Sequence, residues 1–426
     1  MRILFLTQYY PPETGAAQNR LSDLARRLTA LGHCVTVLTA MPNYPQGEIF
    51  REYRGRLVRE TIEDGVRVIR TWIYATKSKR FLPRITSYVS FTLMSAVVGL
   101  TKFPEQHFVI VESPPLFVGC SGLLLSRLKR AKLVTNISDL WPKSAVALGV
   151  LREGLLFRLA TCLEEHVYRR SVFVTGQTDG IVDNIRRRIP EKSVVLLPNG
   201  VSRENIVGDD QRPETARRVR QEFGLDGHFV VGYTGLHGLA QGLETLLEAA
   251  KLLGGAERIV FAFFGDGPDK ERLVRLARQN GLESVRFFPP QPAARMPEVF
   301  TALDAAIVPL RRNALFRGAR PSKLLETMGA AIPVILSIEG EAQAIVENAQ
   351  AGICVEPENP RAIVDAILKL CADPSLCRLL GQNGRRYVTQ HFDRAQVVEK
   401  LSLLLATAMG SQRNQKACED LRASNT

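Results

Sequence analysis

Two successive doubly wound α/β domains, each built on a parallel sheet, are the fold class that this sequence predicts. Three observations carry the prediction. Apolar runs of strand length alternate with helical patterns, the strands are apolar on nearly every residue, and the alternation restarts after a polar stretch between Ser202 and Arg220. Strand–helix–strand order with strands apolar on both faces means a parallel sheet covered by helices on each side. The length of 426 residues agrees, because a single hydrophobic core stops growing at roughly 250–300 residues.

In chain order, strands are expected at "RILFLT" (2–7), "CVTVLT" (34–39), "VRVIRT" (66–71), "FVIVES" (108–113), "KLVTNIS" (132–138), "SVFVTG" (171–176) and "SVVLLPNG" (193–200). Between the first two, Leu21, Leu24, Ala25, Leu28 and Leu31 keep helical spacing, and Gly32 ends the helix. The second series is "HFVVGYTG" (228–235), "RIVFAFFGDG" (258–267), "SVRFFPP" (284–290), "AAIVPL" (305–310), "PVILSIEG" (333–340) and "AGICVE" (351–356). The expected division is an N-terminal domain over 1–200 and a C-terminal domain over 201–390. A helical pattern follows within 392–409, and the polar tail over 410–426 is expected to be disordered.

Composition narrows the function classes. Seven scattered cysteines without a Cys-x-x-Cys pair argue against a disulfide framework or a zinc site and point to reduced thiols in the cytoplasm. The apolar run in "MRILFLTQYY" is too short for a secretory signal and reads as a first strand. Net charge is +13, and the segment 51–102 alone holds eleven basic residues against four acids. Basic surfaces attract nucleic acid, anionic lipid or phosphorylated substrates. A nucleic-acid reader is disfavoured, because basic–aromatic interleaving and a recognition-helix pattern are both missing.

Residues 85–100, between Arg84 and Lys102, carry no charge. They are short for a membrane span, which needs about 20 apolar residues. Two readings stand: a buried helix, or a helix resting on anionic lipid with Lys77, Lys79, Arg80 and Arg84 at its polar edge. Charge beside apolarity favours the second, which would hold the protein peripherally on the inner face of the plasma membrane.

Ligands of open parallel sheets bind at the carboxyl ends of strands, so loops directly after strands are the candidates for chemistry. In "TQYYPPETGAAQNR", Gly15 opens a helix whose N–H groups suit a phosphate, or the loop is an ordinary strand-to-helix turn. Asp139 follows a strand beside Trp141, either as a sugar-holding carboxylate or as a helix cap. "GYTGLHGLAQG" places Gly235 and His237 in a glycine turn, and "FFGDGP" repeats the design at Gly265. In "RPSKLLETMG", an acid early in a helix explains Glu326 by the dipole alone. Lys323 in the first turn is disfavoured by the same dipole unless an anion sits there. Glu326 would then accept hydrogen bonds from a ribose diol.

The order of "GDGP", "MPEVF…DAAIVPL" and "PSKLLETMGAAIPVI", with "FLTQYYPPETGAAQNRLSDLARRLTALGHCVTVLT" and "MPNYP" before them, resembles the family-4 retaining glycosyltransferases. The likeness is closest to the bacterial branch that builds O-antigens and capsules, fucosamine transferases among them, and it spans about residues 1–408. It implies the GT-B fold: two Rossmann-like domains facing across a cleft, the N-terminal one binding acceptor and the C-terminal one binding nucleotide-sugar, with a final helix returning to the first domain. The implied reaction moves a sugar from a UDP-sugar to a saccharide acceptor, expected to be carried on a polyprenyl diphosphate, with retained configuration and without a bound metal. No Asp-x-Asp metal motif is seen.

The second Glu of the family's Glu-x7-Glu signature falls on Glu326, but the first is Gly318, followed by Ala319-Arg320-Pro321. The family's usual Arg and Lys after "YTG" are Leu236 and Gln241 here. Lys323, Arg320 and His237 become the substitutes on the diphosphate, Lys323 foremost. The resemblance implies catalytic roles for Asp139, Lys323 and His237, and donor binding by Gly15, Gly235, Gly265, Arg320, Ser322, Lys323 and Glu326. A non-hydrolysing UDP-sugar epimerase on the same fold is the rival. It would have no use for the basic and apolar segment 51–102.

Overall fold

The computed structural model describes residues 1–423 except Thr14, Lys79, Leu148, Val150 and residues 255–257. Lys79, one of the expected polar-edge cations, thus lies outside the described residues. The chain divides into two compact units, Met1–Pro198 with Ala395–Thr426, and Asn199–Arg394.

The first unit holds β1 (Arg2–Leu6), β2 (Cys34–Ala40), β3 (Val58–Glu63), β4 (Val66–Thr71), β5 (Phe108–Ser113), β6 (Lys132–Ile137), β7 (Phe173–Gly176) and β8 (Val194–Leu196) in one sheet, ordered β3-β4-β2-β1-β5-β6-β7-β8. The second unit holds β9 (Phe229–Thr234), β10 (Ile259–Phe264), β11 (Val285–Phe288), β12 (Ala305–Pro309), β13 (Val334–Ser337) and β14 (Gly352–Cys354), ordered β11-β10-β9-β12-β13-β14. Every strand read from an apolar run is present. Central strands such as β5 and β10 are buried along their whole length, which is why their sequences lack polar alternation.

The sequence reading missed β3. It pairs antiparallel with β4 at the sheet edge, and its Ile62 is exposed. An edge strand has one face in water, so "VRETIE" carries charge where a central strand carries none. The signal was the next two residues. Asp64 and Gly65 both adopt left-handed φ, at 49° and 78°, as a tight hairpin requires.

The last helix, Arg394–Ala423, belongs to the first unit. Val398, Leu401, Leu405 and Ala408 join Ile3, Leu24, Leu28 and Val37 in one buried cluster, and Lys400 Nζ donates to the Leu196 carbonyl at 3.0 Å. The backbone is helical as far as Ala423, through most of the stretch read as a disordered tail.

The helix Phe81–Lys102 has an unusual arrangement of faces. Its inward face mixes serines with Phe91 and Val98: Ser87 and Ser95 are buried, and Ser95 Oγ donates to Ser121 Oγ at 3.1 Å. A Cβ on Gly99 would lie 2.6 Å from the Leu125 side chain, so a larger residue there would force Leu125 to move. Leu82, Val89, Leu93, Val97 and Leu100 are exposed. Among the described residues, no helix is long and apolar enough to cross a membrane.

Candidate functional site

The loops at the carboxyl ends of β9 and β10, with the helix Ser322–Gly329, bring Gly235, His237, Gly265 and Lys323 together. Gly235 N donates to the Phe264 carbonyl at 2.8 Å. A Cβ on Gly265, whose φ is 152°, would lie 1.9 Å from the Gly235 carbonyl oxygen. A Cβ on Gly267 would lie 2.4 Å from the His237 carbonyl oxygen. The two glycine turns are therefore pressed backbone to backbone, and neither tolerates a side chain.

Lys323 reaches back into this turn. Its Nζ donates to the Tyr233 hydroxyl at 2.8 Å, stands 4.0 Å from that ring's centroid, and would lie 3.3 Å from a Cβ placed on Gly235. Burial pushes its ammonium down to about 7, with Glu326 opposing the shift. Helix capping does not account for the segment, because Pro321 occupies the N-cap and supplies no side-chain hydrogen bond. Ser322 is the first helical residue and half-buried.

Glu326, the fifth residue of the helix, makes no side-chain hydrogen bond to any described residue. Burial raises its carboxyl, while Arg394 and Lys323 oppose the rise. A carboxyl with both oxygens unclaimed suits a pair of hydroxyl donors.

Arg320 is committed elsewhere. It is buried, pairs with Glu341 at 3.3 Å and lies 5.0 Å over the Phe392 ring, so it fixes the loop before the helix. At the two positions where the resemblance implies a cation, Leu236 is exposed and the Gln241 Oε1 is buried without a hydrogen-bond partner. Lys323 meets the glycine turns as a cation, as does Lys270, whose Nζ donates to the Gly265 carbonyl at 2.6 Å.

His237 is enclosed completely, between the rings of Tyr233, Phe263 and Phe287 at 5.6, 6.1 and 6.2 Å. Neither ring nitrogen has a hydrogen-bond partner. Burial, with Lys270 and Lys323 nearby, depresses its pKa from 6.5 to about 4. It is neutral at pH 7 and supplies no cation. The unfolded chain takes up the proton first as pH falls, so stability held above pH 6.5 is lost between 6.5 and 4. Unfolding measured at pH 7 and pH 4.5 should show a loss of up to about 3 kcal/mol from this group. His237→Phe should abolish that part of the pH dependence, and an unchanged dependence would assign it elsewhere.

In the first unit, the loop after β1 is anchored from several sides. Arg70 donates to the Pro11 carbonyl at 2.5 Å and pairs with Glu63 at 2.6 Å, so this basic residue is structural. Glu13 is buried and accepts the N–H groups of Asn43 and Tyr44 at 2.7 and 2.9 Å, and burial raises its pKa to about 7. The anchored loop presents Gly15 at the N-cap of the helix Ala16–Ala30 without a side-chain cap bond. Asp139 takes hydrogen bonds from the Ser144 hydroxyl and the Leu140 N–H, in a local turn ahead of the helix Lys143–Ala147.

The sequence reading missed a buried polar network at the carboxyl ends of β5, β6 and β7. Glu112 pairs with Arg20, accepts from Asn136 Nδ2 at 2.5 Å, and also bonds the Ser138 hydroxyl. Arg20 also donates to Ser138 Oγ at 2.9 Å, and Gln177 Nε2 does so at 2.7 Å. The available signal was an acid inside "FVIVES", an otherwise apolar strand. Tyr233, the partner of Lys323, was likewise unforeseen.

Comparison with known proteins gives a consistent picture. Residues 15–200 match the family described as glycosyl transferase 4-like domain, and residues 215–387 match glycosyl transferases group 1. WcaI of Escherichia coli strain K12, a glycosyl transferase assigned to colanic acid biosynthesis, is 27% identical over 94% of this chain and 98% of its own. Among solved structures, sucrose-phosphate synthase from Thermosynechococcus elongatus superposes with a TM-score of 0.74 at 18% identity, covering 96% of this chain and all of that one. Anabaena HepE in complex with UDP-glucose gives 0.71 at 17% identity, covering 95% and 99%.

Proposed function

Because the chain belongs to the glycosyltransferases with the GT-B fold, we propose that it moves a sugar from a UDP-sugar to a saccharide on a polyprenyl diphosphate, with retained anomeric configuration, in bacterial surface-polysaccharide synthesis. The observation that carries the donor half is Lys323, a cation held by Tyr233 against the Gly235 turn. Negative charge develops on the leaving diphosphate as the glycosidic bond breaks. A fixed ammonium and the N–H groups at the start of the helix Ser322–Gly329 stabilise that charge more in the transition state than in the ground state. Glu326 takes the ribose hydroxyls, Gly15 lets backbone approach the donor, and Asp139 orients the acceptor. The crystallised complexes of HepE with UDP and with UDP-glucose support UDP as the nucleotide, and the role assigned to WcaI supports a polysaccharide product.

Calorimetric titration with UDP and GDP tests the donor site. UDP should bind more tightly than GDP, and Glu326→Ala should weaken UDP by roughly ten- to a hundredfold, as expected for losing hydrogen bonds to a charged group. Binding of neither nucleotide, or unchanged affinity in the variant, would remove the donor-site reading.

The acceptor half rests on the outward apolar face of the helix Phe81–Lys102. Leucine and valine at 82, 89, 93, 97 and 100 face solvent, while Arg84 and Lys102 flank them. An interfacial helix on anionic lipid has this composition. Co-sedimentation with phosphatidylglycerol vesicles should show binding that fades in neutral phosphatidylcholine. Leu93→Glu with Val97→Glu should weaken it at least roughly tenfold, since each buried aliphatic side chain contributes about 1.5–3 kcal/mol. Equal binding by the double variant would place membrane contact elsewhere.

A further inference from the structure

The second unit has another concavity, at the edge of its sheet opposite the glycine turns. Phe229 begins β9, Asp304 directly precedes β12 and Pro333 directly precedes β13, so this cavity of about 430 Å³ lies at the amino ends of the strands. Its floor is apolar, from Phe229, Leu303, Ile332 and Pro333. One wall is the helix Pro374–His391, whose Arg378, Gln382 and Arg385 stand four and three residues apart on a single face. Arg212 stands on the other side.

The cations exceed their acids. Arg212, Arg220, Arg378 and Arg385 line the cavity with Asp209 and Asp304, four positive charges against two. Arg220 is matched by Asp304 at 2.8 Å. Arg385 pairs with the exposed Asp209 at 2.6 Å, yet its Nη2 is buried without a partner. Arg378 makes no hydrogen bond or ion pair with any described residue. Burial and the repulsion of Arg385 both depress the pKa of Arg212. Guanidinium forks left with unused donors beside an apolar floor fit a phosphate group attached to an apolar or ring-shaped body.

We propose that this cavity is a second ligand site, separate from the donor turn, that takes a small phosphate ester. Its walls also touch the donor helix. Arg212 donates to the Ala330 and Ala331 carbonyls, and Arg385 Nε donates to the Gly329 carbonyl at 3.2 Å, so both arginines cap the C-terminal end of the helix that carries Lys323 and Glu326. A phosphate that draws on these guanidiniums changes that cap. Occupancy of the cavity and nucleotide affinity are therefore linked, each altering the other by the same factor. This linkage rests on the donor-site reading; the cavity itself does not.

Titration with phenyl phosphate tests the site, both alone and with UDP at saturation to fill the donor turn. Saturable binding should persist with UDP present, exceed the affinity for inorganic phosphate several-fold, and fall at least roughly tenfold in Arg378→Glu. Arg378 is exposed and makes no hydrogen bond or ion pair with any described residue, only a charge attraction to Asp373, so that variant should fold and bind UDP normally. Arg385→Lys, which keeps a charge but loses the fork, should weaken phenyl phosphate several-fold. Displacement by UDP, indifference to both substitutions, or no saturable binding would overturn the proposal. If the protein binds no UDP, the donor reading fails, while the titration without nucleotide and its response to Arg378→Glu still decide the cavity.

Discussion

Lys323→Ala is expected to lower turnover at saturating donor by roughly 10²–10³-fold, the usual cost of removing one charge-stabilising donor from a transition state. The ammonium is held by Tyr233 and depressed to about 7, so in the free enzyme it loses its charge as pH rises through neutrality. The sign follows directly. Below pH 7 the cation is present, and above it the fraction falls tenfold per unit, so kcat/KM for the donor should decline above pH 7. A bound diphosphate favours the charged form and raises the pKa, which keeps kcat itself flatter across the same range. Lys323→Arg carries a charge that does not titrate and should flatten the kcat/KM profile while retaining part of the activity. A pH-rate series on the three proteins decides the matter. A loss below about threefold in Lys323→Ala would leave Lys323 a packing residue.

Arg20→Ala is expected to cost the first unit about 3–5 kcal/mol, because it strands the Glu112 carboxylate in the interior. Arg20 and Glu112 are only 8% and 4% exposed, and the remaining partners of Glu112 are neutral groups, Asn136 and Ser138. Hydrogen exchange of the β5 and β6 amides gives the readout. Exchange in the variant should be faster by roughly two to four orders of magnitude, at about 1.36 kcal/mol per factor of ten. Pairing the substitution with Glu112→Gln removes the stranded charge and should recover much of the loss. An acceleration below about tenfold in Arg20→Ala would mean that water reaches the carboxylate.

Local signals carried most of the fold. All-apolar runs marked the buried strands, and the restart of the pattern after Arg220 marked the second unit. β3 escaped because an edge strand is judged by its turn, and the Asp64-Gly65 pair outweighs the charged residues before it. The site was legible where backbone geometry alone dictates residue type, as at Gly235 and Gly265. It was illegible where two side chains meet across the sequence. Lys323 finds Tyr233 ninety residues away, and Arg20 finds Glu112 across ninety-two. The same limit concealed that Arg320 is engaged by Glu341 and that His237 is shut among aromatic rings. Spacing placed those two beside the chemistry, whereas their burial makes one a brace and the other a neutral core group.

The turn after β9 is clamped from outside as well as from beneath. Arg311 N donates to the Ala240 carbonyl at 2.9 Å and its Nε to the Leu239 carbonyl at 2.7 Å, while Gly265 and Gly267 press against the same turn. The path of the loop is thus written by Arg311 and by two glycines packed against it, and Leu236 rides on it exposed. Such a division lets the position diversify by single codon changes. A change of side chain at 236 would therefore leave the path of the loop as it is, because the contacts that set it come from Arg311 and the two glycines.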